Sequence, residues 1–237
     1  ISGEEAIDQL RLRADRLGCY GWERAHTPRL DALAARGVRF DDTMSASAWT
    51  LPSHGSLFTS LFPTQHGMHE RQRLPEAAAI LAEILRARGY RTGAVTEGGY
   101  VHPVYGLDRG FDRFHVVKGS ERIARTFDEA RSWIGDTDGP WFAFLQTFEV
   151  HSPYMPAAEW RDALVRPYDG VLPDMVHSMK HLASRRKQGL APLDHDDVRY
   201  ASDLYDASIA YADHQFGRLL DALEKAGSLE KTLVVVT

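Results

Sequence analysis

Trp141 to Phe148 reads Trp-Phe-Ala-Phe-Leu-Gln-Thr-Phe. Nearly every position is apolar or aromatic, so no alternation gives one face to water. A run this short and this apolar predicts a strand covered on both faces, as in a parallel sheet held between helices. Thr92 to Thr96 predicts a second short buried strand. Between the two, Glu121 to Ile134 predicts a helix ended by Gly135. Upstream, Thr27 suits a helix N-cap, Pro28 the first helical position and Gly37 the residue past the end, with Leu30, Leu33 and Ala34 as the apolar stripe. Val38 to Phe40 then predicts a short strand. Pro75 is expected to open a further helix, with Ile80, Leu81, Ile84 and Leu85 as apolar positions and Gly89 closing it. Asp196 to Ala226 reads as one long helical region, open to a break near Ser202. Strands alternating with helices make the fold class α/β, a mostly parallel sheet sandwiched by helices.

The 237 residues suffice for a full core and are expected to form one domain spanning 1–237. Residues 157–194 are irregular and hold Pro167, Pro173 and Pro192. They read either as an insertion over the active-site face or as a plain surface excursion. The formal charge of −5 and the lack of a basic stripe speak against nucleic acid as a partner. The basic residues from Lys180 to Lys187 fit a solvated face. No apolar run reaches the ~20 residues of a membrane span. Cys19 is the one cysteine, which excludes an internal disulfide and a cysteine-rich metal site. Compartment and oligomeric state stay open. The chain starts at Ile1 with no targeting segment, and Thr232 to Thr237 predicts a buried strand.

The chemistry concentrates in Trp49-Thr50-Leu51-Pro52-Ser53-His54. A hydroxyl two residues before a proline that can open a helix faces free backbone N–H groups and the positive helix end, a seat for sulfate or phosphate. The alternative reading makes Thr50 a cap and nothing more. As a nucleophile its alcohol needs a metal or a base. His54, four residues on, shares its helix face and can donate a hydrogen bond or move a proton. His151 follows the Trp141–Phe148 strand at its carboxyl end, where ligands of parallel sheets gather, with Glu149 two residues before it.

The stretch from Thr50 to Ser60 resembles the nucleophile motif of the sulfatases, in the alkaline phosphatase superfamily. That motif runs Cys or Ser, any residue, Pro, any residue, Arg, then Leu-x-Thr-Gly. Here Thr50 takes the nucleophile place, Pro52 matches, His54 replaces Arg and Ser60 replaces the last Gly. The resemblance continues through Leu17-Gly18-Cys19-Tyr20-Gly21, Thr27 to Ala34, Phe62 to Gly67, Gly106 to Asp112, Glu149 to Tyr154 and Tyr205 to Leu220. It implies a sulfatase-like sandwich, truncated at its C-terminus where Thr232 to Thr237 would lead into an Asp-His-Gly metal loop. The piece by itself is then expected to be inactive or nearly so.

The resemblance also implies a metal-dependent hydrolase of sulfate or phosphate esters. Thr50 would attack, His151 would contact the leaving group, Glu149 could orient it or bind metal, and His102 is the position-level candidate for holding the anion. The substrate would be a small-molecule, glycan or lipid ester. Metal ligands near the amino terminus are Glu4 and Glu5 in one alignment and Asp8 in another. A gapless count instead reaches Gln9 and Leu10, which bind no hard cation; acidic residues there also suit the first turn of a helix. Oxygen ligands favour calcium or magnesium, with zinc possible if histidines join. No formylglycine is expected at Thr50, since oxidising a secondary alcohol gives a ketone. A Thr nucleophile fits phosphodiesterase-like or phosphonate-hydrolase-like relatives, where water resolves the covalent intermediate. The competing class is a non-catalytic member that binds a ligand on the same scaffold. His66, His69 and Cys19 read as structural.

Overall fold

A computed structural model describes residues 12–69, 71–119, 122–170, 172 and 193–237. Glu4, Glu5 and Asp8 lie outside the described residues. Contacts divide the chain into two compact units, Asp42–Thr147 and Ile1–Asp41 with Phe148–Thr237.

The first unit holds the sheet. Strands β1 (Arg91–Thr96), β2 (Arg113–Val116) and β3 (Trp141–Gln146) run in the order β2-β1-β3, and both pairings are parallel. Alternation along the strands sorts the core. Val95 and Leu145 pack with Ala130 of the helix Arg122–Gly135. Phe142 and Phe144 point into the cluster of Leu51, Phe58, Met68, Ile80 and Leu107. Helices therefore cover both faces, as the apolar runs require. Gly93 has a packing reason: a Cβ there would meet the Trp133 ring at 2.8 Å. The third expected strand differs in length. It ends at Gln146, and residues 141–145 are half-buried, because β1 is its one described neighbour.

The helices of this unit, in chain order after α1 (Pro28–Arg36) of the other unit, are α2 (Thr50–Thr59), α3 (Pro63–His66), α4 (Leu81–Arg86) and α5 (Arg122–Gly135). The helix expected from Pro75 starts only at Leu81. The Arg109 guanidinium donates to the carbonyls of Pro75, Glu76 and Ala78, and the Pro75 carbonyl also accepts the Ala78 N–H at 3.1 Å, which makes a turn in place of a first helical turn. Glu83 then accepts the Ile80 N–H at 3.1 Å and opens α4.

The second unit is helical. It contains α1, α6 (Ala158–Leu164) and α7 (His195–Lys225) around Leu17, Leu30, Val150, Tyr154, Leu204, Tyr205 and Ile209. α7 is unbroken at Ser202, whose hydroxyl accepts Arg16 Nη1 at 2.7 Å. Val38 to Phe40 forms no strand, and Val38 is 81% exposed. Tyr20 instead donates its hydroxyl to the Phe40 carbonyl. Thr232 to Thr237 forms no strand either, with Leu233 89% exposed; β-branched residues make a strand only where a neighbour completes the ladder. Of residues 157–194, α6 occupies the start and 173–192 lie outside the described residues.

Candidate functional site

Trp49 is extended (φ −120°, ψ 145°) and is the N-cap of α2, which makes Thr50 the first helical residue. Pro52 falls in the first turn, where a missing N–H costs nothing because that group has no intrahelical partner. α2 contains no Asp, Glu, Lys or Arg. Three of its polar side chains, Ser53, His54 and Thr59, turn back on the helix's own carbonyls. Ser53 Oγ donates to the Thr50 carbonyl at 3.0 Å, and His54 Nδ1 lies 2.8 Å from the same oxygen. A carbonyl only accepts, so Nδ1 is the donor in this contact and carries a proton. The His54 ring is buried edge-on against Phe144, with centroids 6.1 Å apart.

α2 is pressed hard against its neighbours. A Cβ on Gly55 would meet Met68 Sδ at 2.7 Å and His66 Cε1 at 2.9 Å. His66 is buried; its Nδ1 accepts the Met68 N–H and its Nε2 pairs with Ser56 Oγ. Burial holds its pKa below the usual histidine range, so the ring stays neutral and ties α3 to α2. Ser60 closes α2 in the left-handed region at φ 58°. That is the conformation in which glycine is at ease, and it explains why the related motif ends in glycine.

β1 ends beside α2's unit core in a turn built on Gly98 (φ 85°) and Gly99 (φ 60°). Thr96 Oγ1 donates to the Val101 carbonyl, and Gln146 Oε1 accepts the Glu97 N–H. His102 is half-buried beyond the turn, and its Nδ1 accepts the Val104 N–H at 3.2 Å. The sequence reading passed over Glu97. Its carboxylate, at the carboxyl end of β1, is almost wholly buried, with Arg122 Nε 3.8 Å away and the Thr126 hydroxyl at 3.4 Å. An acidic residue placed directly after a buried strand and before Gly-Gly is the signal that marks it.

Glu149 and His151 belong to the helical unit and are half-buried. His151 sits in a turn, its N–H bonded to the Phe148 carbonyl at 2.8 Å and its Nδ1 2.5 Å from the Ser152 carbonyl. Nδ1 is again the protonated nitrogen. Cys19 donates its N–H to Asp31, and burial together with that carboxylate pushes its thiol pKa up, which suits a structural residue. A shallow cleft of about 550 Å³ beside it is lined by Gly18, Asp31 and Arg39 and by none of the candidate site residues. Among the described residues no group of three or more His, Cys, Asp or Glu could hold a metal ion.

The sulfatase family profile matches residues 7–237. Human arylsulfatase A is 29% identical over 255 aligned residues, covering 93% of this chain and 48% of that protein. The ulvan-active sulfatase of Formosa agariphila is 46% identical over 140 residues, covering 58% of this chain and 28% of that protein. Among solved structures, the phosphonate monoester hydrolase of Agrobacterium radiobacter superposes with a TM-score of 0.72 at 19% identity, over 94% of this chain and 59% of that one. The chain thus spans about half the length of the human relative.

Proposed function

The chain belongs to the sulfatase family, and we propose that it carries the nucleophile of an ester hydrolase, with Thr50 attacking phosphorus or sulfur. The observation that carries this reading is the position of Thr50 as first residue of α2. A side chain there shares the positive end of a helix that holds no carboxylate of its own. A new bond forms from Thr50 Oγ1 to the central atom as the hydroxyl gives up its proton, the ester oxygen leaves with the bonding pair and takes up a proton to depart as the alcohol, and water later cleaves the Thr50 ester, its oxygen joining the released inorganic anion. The family resemblance of the sequence, rather than any geometry, assigns the leaving oxygen to His151 and the substrate to His102 and Glu149. His54 acts on the main chain of Thr50, since its Nδ1 proton is directed at the carbonyl.

Phosphate monoesters or diesters are the preferred substrates. A formylglycine hydrate can expel sulfate with its second hydroxyl, whereas threonine leaves a sulfate ester that only water can clear. His54 also lacks the permanent charge of arginine. A divalent cation belongs to the same reading, calcium or magnesium ahead of zinc, with Glu4, Glu5 and Asp8 as the candidate oxygen ligands. When bound, such a cation lowers the pKa of an alcohol and takes up anionic charge.

The test compares kcat/KM for matched aryl phosphate, phosphodiester and sulfate in the full-length protein. A tenfold lead for sulfate, about 1.4 kcal/mol of barrier, overturns the preference. Treatment with a chelator should remove metal measurable by elemental analysis and lower the melting temperature; an unchanged melt and no bound metal remove the cation. A second reading, a ligand-binding member without turnover, rests on His54 standing where the family has arginine. It predicts anion binding that survives in a protein with no hydrolysis of any ester.

A further inference from the structure

We propose that His66 is an acid-sensitive latch: proton uptake on its ring undocks α3 from α2, the helix that begins with Thr50. The ring meets α2 at three residues. Its Nε2 pairs with Ser56 Oγ at 3.1 Å, its Cε1 lies where a Cβ on Gly55 would be only 2.9 Å away, and the Pro52 carbonyl favours a proton on it. Its other nitrogen, Nδ1, accepts the Met68 N–H at 3.0 Å. An N–H only donates, so Nδ1 holds the lone pair and the neutral ring bears its proton on Nε2.

That arrangement suits one protonation state. A second proton can go only on Nδ1, where it faces the Met68 N–H, donor against donor. The amide of a fully buried residue then loses its acceptor, and the ring becomes a buried cation. Little offsets that charge. α2 contains no Asp, Glu, Lys or Arg, and α3 brings none either. His54 of α2 bonds the Thr50 carbonyl of its own helix, and exposed His69 acts on the ring with the same sign as the new proton. The cluster that holds Met68 is apolar, with Leu51, Phe58, Leu74 and Ile80, and the Tyr100 and Tyr105 rings at its margin. Among the described residues no carboxylate acts on the ring.

The route of release is short. From Leu61 to His69 only His66 and Met68 are buried, while Phe62, Thr64, Gln65 and His69 are exposed. The proton therefore breaks the bond between the two anchors of this segment, and turning α3 outward brings the ring to water. Burial holds the His66 pKa below the ordinary value of about 6.5, so the latch is closed above that pH and opens as pH falls below it. α2 then loses its support from α3 between Pro52 and Ser56. Reversible loss of hydrolysis in acid follows, a consequence that rests on the reading of Thr50 as nucleophile.

The experiment follows amide hydrogen exchange in the full-length protein from about pH 7.5 to about pH 5.5, spanning the ordinary histidine range, with α5 as the internal reference. Protection of the α2 amides should fall at least tenfold relative to α5 as pH drops, and return when pH is restored. In His66→Gln the ratio should not depend on pH. Protection of α2 that keeps pace with α5, or a relative fall that persists in His66→Gln, overturns the latch. Should that variant not fold, NMR of isotope-labelled histidine in the unmodified protein decides. A neutral ring with its proton on Nε2 that becomes imidazolium in step with the loss of α2 protection supports the latch. A proton on Nδ1 of the neutral ring, or a ring that stays neutral while α2 loosens, overturns it. In the same buffers kcat/KM for an aryl phosphate should fall with the midpoint of the α2 transition, and an acid limb unchanged in His66→Gln overturns the control of activity. If the exchange result holds and no ester is hydrolysed at any pH, the reading of Thr50 fails and the latch stands.

Discussion

In α2 the side-chain bonds stay close along the chain: Ser53 and His54 reach Thr50, Thr59 donates to the Gly55 carbonyl at 2.7 Å, and Ser56 reaches no further than His66, ten residues on. In α7 three buried aspartates, Asp203, Asp206 and Asp213, reach partners far away in sequence. Asp203 binds Arg24 and Arg166 at 2.7 Å, Asp206 accepts Arg16 at 3.1 Å, and Asp213 accepts the N–H groups of Arg29 and Leu30. The difference separates placement from cohesion. α2 satisfies its polar groups within itself or from the next helix and carries no charged side chain near the threonine at its start. α7 spends charge on tying the amino-terminal segment and residue 166 to one helix. Burial works against the carboxylate at all three α7 positions. At Asp203 the two arginines outweigh it and hold the pKa below the usual range, whereas Asp206 and Asp213 stay raised. A raised carboxyl costs stability at neutral pH, so these two serve geometry more than energy.

The sharpest way to break the comparison is Thr50→Ala in the full-length protein. We expect kcat/KM to fall about 10³-fold or more, roughly 4 kcal/mol, with the melting temperature unchanged. Activity that survives, or a melt that collapses, would place Thr50 among the packing residues. Next comes Asp203→Ala, read by urea denaturation. Breaking a buried pair costs about 3–5 kcal/mol, but Arg24 and Arg166 are about half exposed and can turn to water, so about 2–3 kcal/mol is expected. Turnover per folded molecule should hold.

A smaller effect separates the units by pH. His66 is kept neutral by burial, so the unfolded chain takes up the proton first. Its share of stability is complete above about pH 6.5 and is lost as pH falls below that value. Asp203 loses its share only at more acidic pH, below the ordinary carboxylate pKa near 4. Denaturation curves between about pH 5 and 7 should therefore show a slope that flattens in His66→Gln. An unaltered slope in that variant would remove His66 as its source. The smallest effect is Ser60→Gly. Relief of the left-handed serine should raise stability by up to about 1 kcal/mol, net of the freedom glycine gains when unfolded. A loss would show that the Ser60 side chain contributes more than the strain costs.

What the sequence by itself determined is what neighbours along the chain decide. Period and punctuation placed β1, α5 and α7 closely, and Pro28 and Gly37 bracket α1 as their conformational limits demand. The order of motifs identified the family, and the Thr50–Pro52 spacing marked the start of α2. The misses share one cause. Thr27 looks like the cap of α1, yet its hydroxyl bridges the Gly18 N–H and Asp31, while Asp213 accepts the N–H groups of the helix from 184 and 183 residues away. Pro75 looks like a helix start, yet Arg109 claims its carbonyl from 34 residues away. Buried Glu97 and the ring pair Trp49–Tyr100 were silent for the same reason. A local pattern fixes which conformations a segment can adopt. Which polar group satisfies which, and which side chains meet, is decided only when distant segments compete for the same donors, acceptors and apolar area, and that competition exists only in the folded chain.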